Sequence, residues 1–292
     1  MTSIYRKELR SYFTNMHGYI FSAFLLFICG IFFFITNLVS GSSAFEGALE
    51  TTSFIFLLIV PIVTMKSIAE EKGQRTDQLL YSLPVSTTEI VMGKFLALYT
   101  VFSVPVAIMS IYPLILSLYG KVSLGSTYSC LLGFFLLGGT LLSIGLFISS
   151  LTESQVLAAV ISFGAMLTIY LASIFVVLSD YLTVLSSVGV NIGVFVVLGL
   201  LFGLCVFVLS KDWWISGSFA LAAEIIIVTV CIYDRNIFEG LFAKVIEKLS
   251  VYEMYYNMSM GIFDLTAVVY FISIMAVCLF LTVQSLERKR YN

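Results

Sequence analysis

The chain has 292 residues, 60% of them hydrophobic and only 11% charged, with a net charge of −2 and a mean hydropathy of +1.06. Soluble domains carry about 25% charged residues, so a water-soluble core of this length is excluded, and the lack of a basic cluster argues against nucleic-acid binding. Unpaired backbone amides are too costly in lipid, and the unbroken apolar runs do not alternate as barrel strands do, so the fold class is all-α: a polytopic transmembrane helix bundle forming a single domain over residues 1–292.

The chain opens with an amphipathic segment, residues 2–17. Ile4, Tyr5, Leu9, Tyr12, Phe13 and Met16 recur at helical spacing, and Arg6, Lys7, Arg10 and Ser11 fill the other face. This pattern predicts an elbow helix at the membrane interface, with Tyr5, Arg6, Lys7, Arg10 and Tyr12 as its interfacial residues. The apolar run that follows is too long for a secretory signal and lacks a small-residue cleavage site, so it reads as an uncleaved anchor.

A hydrocarbon core about 30 Å thick takes on the order of 20 apolar residues per helix. On that ruler the sequence predicts eight spans: Tyr19–Ser40, Thr51–Ile68, Ile90–Tyr119, Thr127–Ser149, Gln155–Leu178, Ser187–Leu209, Trp214–Tyr233 and Asp264–Leu286. Pro61, Pro105 and Pro113 lie within spans and are expected to bend them. Between the second and third spans, residues 66–94 form the one sizeable inner loop, helix-prone up to Leu83. Pro84 is expected to stop that helix, and Ser86 or Thr87 to cap the next.

Residues 187–233 hold a further transmembrane hairpin. In it Gly189 with Gly193, and Gly199 with Gly203, have the spacing of closely packed helices. Glu224 is the one ionisable residue deep in a span, either a functional position whose partner is a hydroxyl or amide such as Asn191, a watered groove or another subunit, or a protonated acid hydrogen-bonded for packing. Residues 234–263 form the longest outer segment. Ile237, Phe238, Leu241, Phe242, Val245, Ile246 and Leu249 predict an interfacial helix there, and Tyr252, Tyr255 and Tyr256 are expected at the headgroup level.

An even number of spans places both termini on one side, which then holds eleven of the 15 Lys and Arg residues. Only Lys121, Arg235, Lys244 and Lys248 face the other side, so both termini are expected in the cytoplasm. The five cysteines fall inside apolar spans without paired spacing. No phosphate-binding G-x-x-x-x-G-K-[ST] loop is present, and the sole histidine, His17, lacks a second one for a metal. No catalytic, cofactor-binding or metal-binding residues are therefore assigned, and the chain reads as no enzyme in its own right.

Four stretches resemble the ABC-2 permease superfamily, and within it the gliding-motility-type and nitrous-oxide-reductase-maturation-type permeases. Ile4–Phe34 resembles the family's elbow helix and first span. Pro61–Phe95 is similar to its coupling region, including Glu70, Glu71, Thr76, Leu79, Leu80, Pro84, Val85, Gly93 and Lys94. Gly145–Gly164 resembles its short inner turn, and Gly261–Arg290 its last span and basic tail. Arg75 stands where the family commonly has glycine and Gln78 where it has glutamate. The pair of spans over residues 187–233 is additional to the usual six.

The resemblance implies a permease subunit of an ABC exporter in a bacterial plasma membrane, paired with a second permease, identical or related, above two cytosolic ATPase subunits that carry the ATP and magnesium. Glu70, Glu71, Lys72, Arg75, Thr76, Leu79, Leu80, Pro84 and Val85 would then couple the ATPase to the helices. Relatives of the gliding type often work with a membrane subunit bearing a large outer domain. The alternative implied by the resemblance is a mechanotransmission or anchoring subunit that moves an outer partner and carries no solute. A secondary transporter should show charged residues in several spans and internal symmetry, which this sequence lacks.

Overall fold

The computed structural model of the chain describes residues 2–74, 85–181, 250–261 and 263–291. The chain divides into two compact units, Met1–Tyr170 with Val251–Asn292, and Leu171–Ser250. All regular elements among the described residues are helical. They are α1 (Thr2–Thr14), α2 (His17–Phe33, extended by a π-helical turn Phe34–Val39), α3 (Glu46–Ser53), α4 (Phe56–Thr64) and α5 (Ala69–Gly73). After these come α6 (Thr87–Met109), α7 (Tyr112–Tyr119), α8 (Leu124–Leu151), α9 (Gln155–Tyr181), α10 (Val251–Ser259) and α11 (Leu265–Tyr291).

Among the described residues, five helices are long and apolar enough to cross a membrane: His17–Val39, Thr87–Tyr119, Leu124–Leu151, Gln155–Ile174 and Leu265–Arg288. A sixth results if Glu46–Ser53 and Phe56–Gly73, bent by 53° at their break, count as one span. Five of the eight expected spans thus have counterparts, and the second has one if the bent pair is a single span. The other two, with Glu224, Asn191 and the paired glycines, lie outside the described residues, as do Arg75, Thr76, Leu79, Leu80, Pro84 and the expected interfacial helix before Ser250.

The bend in the second span falls at Phe54–Ile55, not at Pro61, which sits inside α4. The third span breaks at Ser110–Ile111, just ahead of Pro113, which has no N–H to give the Met109 carbonyl four residues back. That span also begins earlier than its apolar run. Ser86, one of the two expected caps, accepts a hydrogen bond from the Glu89 amide (3.3 Å), so the helix starts at Thr87; Lys94, counted with the loop's charges although within the expected span, lies in its interior.

Within the first unit α8 is the central helix, packed against α3, α4, α6, α10 and α11. Its glycines make this possible. A Cβ on Gly139 would lie 2.6 Å from the Tyr99 ring of α6, one on Gly145 2.5 Å from Thr64 Oγ1 of α4, and one on Gly133 3.2 Å from Met258 Sδ of α10. An aromatic cluster fills the seam: Phe102 lies 5.9 Å from Phe135, and Phe56 4.7 Å from Phe134, between ring centroids.

α10 departs from expectation. Val251, Tyr252, Tyr255 and Met258 form a stripe at helical spacing that is buried in this core, so Tyr252 and Tyr255 are core side chains and not headgroup anchors. Burial pushes the Tyr255 phenol well up, and its hydroxyl faces Cys130 Sγ at 3.6 Å. Tyr252 donates to the Ser53 carbonyl at 3.4 Å.

Candidate functional site

α1 lies against α6 with the face its sequence predicts. Ile4 is buried, Tyr5, Leu9, Tyr12 and Phe13 are half-buried, and Arg6, Lys7, Arg10 and Ser11 are exposed. Met16, expected on the apolar face, is exposed instead. The helix has ended by then, and Met16 turns the chain into α2 with φ 60°. Gly93 lets α1 approach closely, since a Cβ there would be 3.0 Å from Ile4 Cγ2, and the Tyr5 hydroxyl meets Thr100 Oγ1 at 3.1 Å. Beyond the break at Met16, His17 Nε2 is 3.2 Å from Lys66 Nζ.

The segment from Lys66 to Gln74, around α5, is fastened at both ends to the turn between α8 and α9. A five-residue helix satisfies few of its own amides, so its first donors need outside acceptors. Ser149 Oγ supplies one oxygen to two of them, the amides of Ile68 (3.3 Å) and Ala69 (3.1 Å). One turn on, the buried Lys72 ammonium donates to the Ser150 carbonyl, placing a cation on the C-terminal carbonyls of α8, where the helix dipole is negative. Ser285 of α11 donates to the same carbonyl at 3.5 Å. Gly73 completes the fit, for a Cβ there would stand 2.9 Å from the Glu153 carbonyl oxygen.

The inner face of this segment meets Lys94, 3% exposed. Its ammonium donates to the Ser67 carbonyl at 2.8 Å, lies 2.9 Å from Glu71 Oε2 and donates to Glu8 Oε1 of α1 at 3.3 Å. Beside it the Tyr12 phenol is pushed above its ordinary range, first by burial and next by the Glu8 carboxylate, against a hydrogen bond with the Ser67 side chain; it stays protonated. Two turns back along α6, Thr87 Oγ1 donates to Glu287 Oε1 of α11 at 3.4 Å.

Of the residues expected to couple, Glu70, Glu71 and Lys72 therefore share one site but have different surroundings. Lys72 is buried, Glu71 turns inward to Lys94, and Glu70 is half-buried and accepts from Gln74 Nε2 at 3.3 Å. Val85 is half-buried just ahead of the Ser86 cap. Sequence reasoning missed Glu8, Ser149 and Ser150 altogether, and read Lys94 as a loop cation. A signal for two of them existed: Glu8 falls on the apolar stripe of α1 between Ile4 and Tyr12, and Lys94 interrupts the apolar start of α6. Among the described residues no group of three His, Cys, Asp or Glu side chains could hold a metal.

What the site can do is mechanical. One short polar segment is bonded to α6 and the end of α8, and through Lys94 to Glu8 of α1, so a force on it reaches several helices at once. No curated protein matches the sequence. Residues 2–188, which contain α1 to α9 and most of this junction, match the family described as ABC-2 family transporter protein, and the chain belongs to that family, the membrane permease components of ABC transporters.

Proposed function

We propose that this chain is the permease subunit of an ATP-driven exporter, of the gliding-motility or nitrous-oxide-reductase-maturation type, and that residues 66–74 with residues 75–85 receive the push of a cytosolic ATPase. The supporting observation is the fastening of α5. Ser149, the Lys72–Ser150 hydrogen bond and Lys94 tie one short inner segment to the end of α8 and to α6, and through Lys94 to Glu8 of α1. ATPase closure would shift that segment, and the attached helices would change position as one two-state element.

In this reading both termini are cytoplasmic and the chain pairs with a second permease, identical or related, above two ATPase subunits in the cell membrane. The pairing leaves lipid or a partner for the exposed apolar side chains of α2, including Ile20, Phe27 and Phe34.

The site divides the two expected coupling carboxylates. Glu71 is an internal partner of Lys94, whereas Glu70 bonds along its own helix to Gln74 and is the better probe of docking. Charge reversal by Glu70→Lys should release the ATPase or uncouple its hydrolysis while leaving membrane insertion intact. Full ATPase retention and coupling in that variant would remove this assignment.

A further inference from the structure

We infer that Lys94 is a positioning residue that clasps the elbow helix α1 and the 66–74 segment to α6, so that α1 is carried along when that segment moves. The clasp deepens the coupling reading and rests on it for its functional meaning.

An ammonium 3% exposed is retained only where partners replace its water. Lys94 has three N–H donors, and the structure gives it three acceptors: Glu8, Glu71 and the Ser67 carbonyl. Two of these belong to the 66–74 segment and one to α1. The segment is thus held to α1 through one buried cation, and α1 is held to α6 by packing of Ile4 on Gly93 and by the Tyr5–Thr100 hydrogen bond.

Stability alone does not account for this arrangement. Well-packed apolar side chains commonly replace a buried ion triad without loss, whereas removing one member strands the others. A charged triad therefore joins its elements in an all-or-none manner: a shift of residues 66–74 that kept Glu71 and Ser67 on Lys94 would draw Glu8, and α1 with it. If two segments are coupled through one cation, loosening either must loosen the other by a similar factor, because coupling free energies are reciprocal.

Amide hydrogen exchange of the purified full chain, with whatever ATPase accompanies it, tests this. Glu71→Gln should raise exchange in α1 by roughly fivefold or more, and Glu8→Gln should do the same for residues 66–74. A triple variant, Glu8→Gln with Glu71→Gln and Lys94→Met, removes all three charges of the clasp together and should fold. In it, nucleotide should still change exchange in residues 66–74 but no longer in α1. Effects of each single substitution confined to its own segment would overturn the clasp, as would a nucleotide response of α1 that survives in the triple variant. The reciprocal exchange is read without an ATPase, so absence of any bound ATPase would count against the coupling reading, while the single variants would still support or overturn the clasp.

Discussion

Ser149→Ala is the substitution whose effect follows most directly from the geometry. The Ser149 hydroxyl oxygen accepts from the Ile68 and Ala69 amides at 3.3 and 3.1 Å, and both residues are buried, at 3% and 0% exposure. Removing it leaves two donors without their acceptor, at a cost of about 1–3 kcal/mol for a buried group that finds no substitute. Water reaches the neighbouring Gly73 and Gln74, so one donor recovers part of that cost, and a net loss of about 2 kcal/mol is expected.

As a local opening free energy this corresponds to roughly thirtyfold faster exchange at Ile68 and Ala69. Hydrogen exchange with fragment analysis over residues 66–74 reads it directly. Ser149→Thr keeps the oxygen and should restore protection. Unchanged exchange at Ile68 and Ala69 in Ser149→Ala would refute the reasoning, because those amides would then have had another acceptor throughout.

Two further outcomes follow from the packing. Gly139→Val should lower stability by about 3 kcal/mol, since Tyr99 is stacked between Phe95 and Phe135 and has nowhere to move, while Gly125→Val on the same helix, with open space around it, should stay within about 0.5 kcal/mol; thermal unfolding in detergent compares them. Tyr255→Ala should cost about 3–5 kcal/mol and Tyr255→Phe under about 1 kcal/mol, as the ring fills core and its hydroxyl meets a distant thiol. Equal and small losses in both would return this tyrosine to the membrane surface.

Much of this fold was readable from hydropathy because lipid leaves the backbone few choices. The first, fourth and last spans lie within three residues of their apolar limits, and the inward and outward faces of α1 divide as its periodicity requires. Errors arose where a charge is buried within a helix or where one residue type has two homes. Ser86 caps the third span, as one of the two expected caps, but Lys94, counted with the inner loop's charges, is buried within that helix. Tyr252 and Tyr255 have the amphipathic character of interfacial residues, but the spacing of Val251, Tyr252, Tyr255 and Met258 marks a buried stripe.

The site itself was half legible. Glu70, Glu71 and Lys72 declare themselves as a charged cluster after an apolar span, whereas Ser149 and Ser150 are ordinary residues at the end of α8. Their roles depend on which helix end meets which, and pairing of elements distant in the chain leaves no trace in a single sequence. The bend at Phe54–Ile55 is of the same kind, since the proline of that span lies six residues further on.

The most direct measurement concerns where the energy comes from. The chain purified from its native membrane and reconstituted in liposomes should carry a nucleotide-hydrolysing companion, and any movement it drives should stop when that companion is stripped away or ATP is withheld. Solute movement by the chain alone, powered by an ion gradient with no such companion present, would contradict the account.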